Sequence, residues 1–512
     1  MSDGGNDESL QQRHVPLEMT PDQFRTLGYE VVNRIADFLA TLPRRPVTHA
    51  EFPQTVRELL GDGRLPEHES DPQLLLQEAA ELLFEHSLLN GHPRFWGYIT
   101  SSAAPIGALG DLLATAVNPN VGAWALSPIA SAIEEQTVRW IAELMRYPSD
   151  GGGLLVSGGN MANFVGFLAA RKAQAAWDVR TSGIAGGDGR TLRVYASSET
   201  HTWLQKAADL FGLGTEALRW IPVDRRQRMD TTALRTAIDH DLANNDLPFL
   251  VVGTAGSVST GAVDPLPELA AIAREYNLWF HVDGAYGGLA ALLLDGTNEV
   301  AVPPDLAGLR EADSVAIDPH KWLYAPLEAG CVLVRRKAAL HDAFSYHPAY
   351  YRFDEQDEEP GINYYEYGPQ NSRGFRALKV WLGLKQAGRR GYQRMLTDDI
   401  RLAIELYRRV QREPELQAFT QSLSITTFRY APADLRSGLT DVESYLNRLN
   451  AEILERLQHS GAAFISNAVL NDTFVLRACI VNFRTRLADI EALTGIVIRL
   501  GREVDAALRT SV

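Results

Sequence analysis

Lys321 lies in the run Ser314-Val315-Ala316-Ile317-Asp318-Pro319-His320-Lys321-Trp322, in which a short apolar strand leads into a polar turn. Thirty-eight residues upstream, Leu278-Trp279-Phe280-His281-Val282 leads in the same way to Asp283 and on to Gly284-Ala285-Tyr286-Gly287-Gly288. An amine and a carboxylate delivered by two strand ends suit the chemistry of pyridoxal 5'-phosphate (PLP). The amine condenses with the aldehyde, and the carboxylate keeps the pyridine nitrogen protonated so that the ring can accept electrons. Taken singly, a lysine after a strand is a solvated cap and Asp-Gly is a turn. Taken together they predict a cofactor site.

Other residues add to this pair. Leu154-Leu155-Val156-Ser157-Gly158-Gly159-Asn160 reads as strand, glycine turn and helix start. Gly-Gly alone is often just a tight turn, but beside a cofactor lysine the backbone N–H groups and helix dipole at such a place favour a phosphate cradle. In Thr200-His201-Thr202-Trp203, His201 is either a cap or core residue or an imidazole stacked on the pyridine ring. Thr254 either satisfies its own turn or reaches the cofactor, and His320 either bridges backbone groups or donates to the phosphate. With no HExxH, no CxxC and few histidines, no metal site is expected. The absence of a G-x-S-x-G elbow argues against a serine hydrolase.

The elements that must position these residues can be read from pattern. Leu154–Val156, Leu192–Ala196, Leu218–Val223, Phe249–Gly253, Trp279–Asp283, Ser314–Ile317 and Cys331–Val334 have strand composition. Helical patterns lie between several of them, as at Asn160–Ala176, His201–Phe211 and Leu266–Tyr276. The alternation predicts an α/β fold: a mostly parallel seven-stranded sheet with helices on both faces and a ligand at the carboxyl ends of its strands. Residues 1–16 read as a disordered tail and 17–90 as a helical arm, opened by the cap Thr20-Pro21-Asp22-Gln23. The large domain is expected over 91–389, with a mobile active-site loop at 345–372. A small C-terminal α+β domain is expected over 390–512.

Several of these segments, in order, resemble the group II PLP-dependent decarboxylases, the family of the aromatic-L-amino-acid, glutamate and histidine decarboxylases. They are His92-Pro93-Arg94-Phe95, Ser127-Pro128 with Glu134, Ser157-Gly158-Gly159, His201, His281-Val282-Asp283-Gly284-Ala285, Asp318-Pro319-His320-Lys321-Trp322 and Phe375-Arg376-Ala377-Leu378-Lys379. The likeness runs over about residues 20 to 500. It implies fold type I and a homodimer with the active site at the subunit interface. It also makes Lys321 the cofactor lysine and Asp283 the partner of the ring nitrogen. His201 and Ala285 would lie on opposite faces of the ring. Gly159, Asn160, Asp318 and His320 match phosphate-side positions, Thr254 the hydrogen-bonding threonine, and Tyr350 the loop tyrosine that protonates the substrate carbon. Tyr351 is a rival for that last role.

The chain departs from the family pattern in places. Asp318 stands where many members have Asn, so beside a phosphate its carboxylate must be either protonated or paired, with His320 as the candidate partner. Arg373-Gly374 replaces a frequent Arg-Arg. The substrate pocket is expected at Tyr98, Ile99, Thr100, Gly122 and Trp124. Gly122 falls where aromatic decarboxylases often carry a Phe, and is expected to free volume there.

Composition sets the outer bounds. The 512 residues carry a net charge of -15, with 45% hydrophobic and 22% charged residues. This is the balance of a globular protein and argues against nucleic acid or an anionic membrane as the main partner. Cys331 and Cys479 both sit in strand-like runs and read as small core residues. The N-terminal segment is polar and no apolar run approaches a membrane span, so the cytoplasm is the expected location. The predicted activity is α-decarboxylation of an L-amino acid, with an aromatic one such as tryptophan, tyrosine, phenylalanine or dopa as first choice. The alternatives are a small or acidic amino acid on the same fold, a decarboxylating aldehyde synthase, and a non-enzymatic PLP-binding protein.

Overall fold

Successive side chains of a strand point to opposite faces, so an apolar run that is buried throughout must sit in a sheet covered on both sides. Seven such runs form one sheet in the computed structural model, which describes residues 13–61, 63–296, 299–346, 361–437 and 442–510. They are β1 (Gly152–Val156), β2 (Leu192–Ser197), β3 (Leu218–Ile221), β4 (Leu247–Thr254), β5 (Trp279–Asp283), β6 (Ser314–Ile317) and β7 (Gly330–Val334). The order across the sheet is β1-β7-β6-β5-β4-β2-β3. β7 is antiparallel to both neighbours, and the other pairings are parallel. β1 to β6 therefore run the same way and bring their carboxyl ends to one edge.

The alternation sorts the core. Leu154, Val156, Val194, Leu250 and Val252 pack on one face with Ala162, Val165 and Phe167 of the helix Gly159–Gln174. Leu155, Tyr195, Val251, Val282 and Val315 pack on the other, with Ile141 of the helix Pro128–Leu144 and Leu269 of the helix Leu266–Glu275. Cys331 and Cys479 are buried free thiols.

A second, antiparallel sheet has the order β10-β11-β9-β8, with β8 at Leu416–Ser422, β9 at Ile425–Tyr430, β10 at Ser466–Leu470 and β11 at Thr473–Cys479. It shares a core with the helices Val442–His459 and Leu487–Thr510 and with the far end of the helix Ala377–Arg412. That long helix breaks at Gly388, whose φ of 61° a residue with a side chain adopts at a cost. The strand-like runs Leu423–Arg429 and Phe474–Phe483 mark β9 and β11 in the sequence, whereas β8 and β10 have no such mark. Burial in β10 alternates over only five residues, and β8 is mostly half-buried, so neither carries a clear apolar run.

Ahead of both sheets lie the helices Pro21–Thr41, Pro53–Leu60 and Pro72–His86, and none has a buried residue. The expected capping box is formed: Thr20 accepts from the Gln23 N–H, and Gln23 accepts from the Thr20 N–H. Phe38 stacks on Phe84 at 4.5 Å between ring centroids, joining the first and third of these helices. None of the helices described is long and apolar enough to cross a membrane.

Candidate active site

The edge shared by the carboxyl ends of β1, β2, β4, β5 and β6 borders a cavity of about 330 Å³. Gly159 and Asn160 reach it from the turn after β1, and His201 from the turn after β2. Thr254 ends β4, Asp283 ends β5 with Ala285 just beyond, and Asp318, His320 and Lys321 follow β6. Ile99 closes one side. Asn163, Glu199, Val258 and Tyr286 also line the cavity without having been anticipated. Tyr286 lies inside a quoted motif, but the other three carry no signal in the sequence.

The charges are arranged in two groups. Lys321 Nζ lies 3.3 Å from Asp318 Oδ2, and His320 Nε2 lies 3.5 Å from the same oxygen. Asp318 is thus paired first with Lys321, not only with His320 as expected. His320 Nδ1–H donates to the Ala329 carbonyl at 2.8 Å. Burial pushes this imidazole below the ordinary histidine range, and Asp318 opposes the shift. In the second group, Asp283 Oδ2 accepts from the Trp203 indole N–H at 2.8 Å and Oδ1 from the Ala285 N–H at 3.1 Å. His201 Nδ1 accepts from the Trp203 main-chain N–H at 3.2 Å, which leaves Nε2 as the protonated nitrogen. His201 still reaches solvent, but the cavity walls strip enough water to push its pKa down, with Asp283 opposing.

Beneath Asp283 on β5, His281 is fully buried between Asn163 Oδ1 at 2.8 Å and Ser314 Oγ at 2.7 Å. An amide oxygen only accepts, so His281 Nε2 carries the proton and Nδ1 accepts from the serine hydroxyl. Burial lowers its pKa to about 4, and it is neutral.

These residues fit PLP. Thr254 Oγ1 and Asp318 Oδ1 are buried with no hydrogen-bond partner among the described residues, which leaves polar atoms for a ligand to satisfy. A Cβ at Gly159 would lie 2.6 Å from Asp318 Oδ2 and 3.1 Å from Ala285 Cβ, so the bare backbone keeps this corner open. An amine, the Nε2–H of His201 and a helix start form a donor set suited to an aldehyde and a phosphate.

The model of the pyridoxal-dependent decarboxylase conserved domain matches residues 53–431. The chain belongs to the pyridoxal-dependent decarboxylase family. It is 32% identical over 489 residues to an aromatic-L-amino-acid decarboxylase of Bacillus atrophaeus, covering 95% of this chain and 97% of that one. It is 27% identical to a phenylacetaldehyde synthase of a Rosa hybrid cultivar, covering 90% of each. Among solved structures it is similar to Oryza sativa TDC with PLP and tryptamine, at a TM-score of 0.87 and 25% identity, covering 96% of this chain and 99% of that one. The protein is a PLP-dependent carboxy-lyase with the fold type I architecture.

The remaining expected pocket residues of this decarboxylase do not border the cavity within one chain. Tyr98 is 58% exposed at a φ of 49°. Thr100 faces an adjoining cavity between the N-terminal helices and the large domain. Gly122 and Trp124 lie in a segment held from behind by Arg373. The Arg373 guanidinium pairs with Glu134 and donates to the carbonyls of Val121 at 2.9 Å and Leu155 at 2.7 Å. The expectation that Gly122 frees pocket volume needs correcting, because a Cβ there would strike the Asn371 carbonyl oxygen. Gly122 is small because the backbone of 371–373 passes against it.

Tyr350 and Tyr351 lie outside the described residues, as does all of 347–360. The rest of the expected loop is anchored beyond residue 360. The Tyr365 N–H donates to the Gly122 carbonyl at 2.9 Å, the Trp124 N–H donates to Asn363 Oδ1 at 3.1 Å, and Tyr364 is buried.

Proposed function

We propose that this enzyme removes the α-carboxylate of an aromatic L-amino acid, with tryptophan, tyrosine, phenylalanine and dopa as the candidates, and releases the amine and CO2. The observation that carries this reading is Lys321 and Asp283 facing one cavity from neighbouring strand ends, with Ile99, Val258, Ala285 and Tyr286 giving it apolar walls. The Bacillus and Oryza relatives, named for aromatic substrate and product, support the choice of side chain.

Bound PLP supplies an aldehyde and an electron-withdrawing ring. Lys321 would provide the amine that holds the cofactor through this aldehyde. Asp283, both of whose oxygens already accept N–H bonds, would hold a proton at the ring nitrogen. His201 and Ala285, which both line the cavity, would confine the ring between them. Gly159 and Asn160 would hold the phosphate, joined by His320 in its doubly protonated form, with Asp318 keeping Lys321 and His320 close, and Thr254 would donate its hydroxyl to the cofactor. Tyr350 delivers the proton to Cα once CO2 has left.

The substrate side chain is held by Ile99 and, in a homodimer with the site at the interface, by Tyr98, Thr100, Gly122 and Trp124. That these four stand outside the cavity of a single chain, beside a large exposed apolar surface, supports this assembly. The two free, buried thiols suit the reducing cytoplasm.

CO2 release measured across the twenty L-amino acids, dopa and 5-hydroxytryptophan tests the proposal. Aromatic substrates should dominate, and a preference for glutamate or another small acidic amino acid would overturn it. The rose relative raises a second reading, in which oxygen diverts the reaction to an aldehyde, ammonia and peroxide. The amine-to-aldehyde ratio decides between them. Amine should dominate in the native enzyme, and Tyr350→Phe should shift the balance toward aldehyde.

A further inference from the structure

Trp203 touches both groups that flank the cofactor position. Its main-chain N–H donates to His201 Nδ1 at 3.2 Å, and its indole N–H donates to Asp283 Oδ2 at 2.8 Å. The side chain is fully buried, and an indole N–H can only donate. The ring cannot swing away, because it packs edge-on against His281 at 5.8 Å between centroids. His281 is itself fixed at both nitrogens by Asn163 and Ser314.

We propose that Trp203 is the positioning residue that sets the electron sink: its indole N–H fixes the Asp283 carboxylate so that the proton shared with the cofactor stays on the ring nitrogen. This rests on the assignment of Asp283 to that nitrogen. Without the indole donor, Oδ2 becomes a bare buried acceptor that is free to rotate and to compete for the shared proton. The Ala285 N–H holds the other oxygen, so Trp203 decides the orientation of the one that remains. The same residue fixes the tautomer of His201 through its backbone, which no substitution of the indole disturbs.

Trp203→Phe keeps a buried ring and the main-chain bond to His201 and removes the indole N–H. The readout is the ¹⁵N resonance of the ring nitrogen in protein reconstituted with ¹⁵N-labelled PLP, together with the dissociation constant for PLP. In the variant the resonance should move from the protonated toward the unprotonated position, and the dissociation constant should rise about tenfold. Trp279→Phe is the control. That buried indole donates to Ser314 Oγ at 2.8 Å, not to Asp283, and its loss should leave the ring-nitrogen resonance in place.

Asp283→Asn separates the two assignments. If Asp283→Asn moves the resonance and Trp203→Phe does not, the role of Trp203 is overturned. If Asp283→Asn leaves the resonance unmoved, the assignment of Asp283 fails and the proposal falls with it. Should Trp203→Phe not fold, ¹⁵N-indole labelling of the otherwise native chain carries the test. One of the nine tryptophan N–H signals should shift on Asp283→Asn, and nine unmoved signals would overturn the proposal.

Discussion

Asp283 is 8% exposed and accepts from two N–H donors, an arrangement that suits the role at the cofactor ring proposed for it above. Asp283→Asn keeps an acceptor oxygen for only one of those two donors, sets its amide NH2 against the other, and cannot balance a positive charge at the ring nitrogen. The fold should persist by circular dichroism while kcat falls about 100- to 1000-fold, measured as CO2 release. At this scale the sequence was most legible where a chemical group closes an apolar run. Thr254 and Asp283 end strands, Gly159 and Lys321 follow within a few residues of one, and the sheet brings strand ends together without further information. Partnerships formed across the chain were not legible. Nothing in Thr200-His201-Thr202-Trp203 says that the indole meets a carboxylate eighty residues later. Nothing around Asp318 says that its carboxylate faces Lys321, since that depends on how the turn after β6 folds back.

Elements are tied together here by buried charged and polar groups. Glu134, on the helix Pro128–Leu144, accepts from the Leu155 N–H of β1 at 2.9 Å and pairs with Arg373, which in turn holds the Val121 carbonyl. Glu134→Gln leaves the Arg373 charge buried and unpaired and should cost about 3–5 kcal/mol in urea unfolding. Asp399, on the helix Ala377–Arg412, accepts from the Trp322 indole at 3.0 Å and the Tyr324 hydroxyl at 2.8 Å, so it grips the turn that carries Lys321. Burial raises its pKa to about 7. The folded protein therefore holds a proton that the unfolded chain releases near pH 4. This contribution to stability is full below pH 4 and is lost as the pH rises toward 7. Wild type should exceed Asp399→Asn at pH 4, and that margin should shrink by on the order of 4 kcal/mol by pH 8. A margin independent of pH would show that Asp399 does not titrate in this way. Neither tie was legible, because an interior acid is indistinguishable from a surface one in a helix with charges on both sides.

At the scale of the molecule, the alternation of strands and helices made the seven-stranded sheet legible almost strand for strand, because runs buried on both faces are continuous in sequence. The small sheet was half legible, since its outer strands alternate or are only half buried. What the apolar arm covers could not be read from a single chain, but its exposure points to an answer. Phe24, Tyr29 and Val32 on the first helix are 55%, 66% and 42% exposed, and Leu109, Leu112, Leu113 and Val117 on the helix Pro105–Val117 are 50%, 52%, 60% and 75% exposed. Apolar surface on this scale is rarely left to water in a stable protein. A two-fold interface would bury it by matching each patch with its own copy, and the neighbouring 118–124 segment would be carried toward the partner's cavity. The double substitution Leu112→Glu with Leu113→Glu places four charges across such an interface, two from each subunit. It should yield a monomer in sedimentation, and with the substrate side of each cavity left open, CO2 release should fall at least tenfold while secondary structure is retained. A doubly substituted protein that still sediments as a dimer would move the interface elsewhere. A fully active monomer would mean that each chain completes its own pocket, and that Gly122 and Trp124 have no part in it.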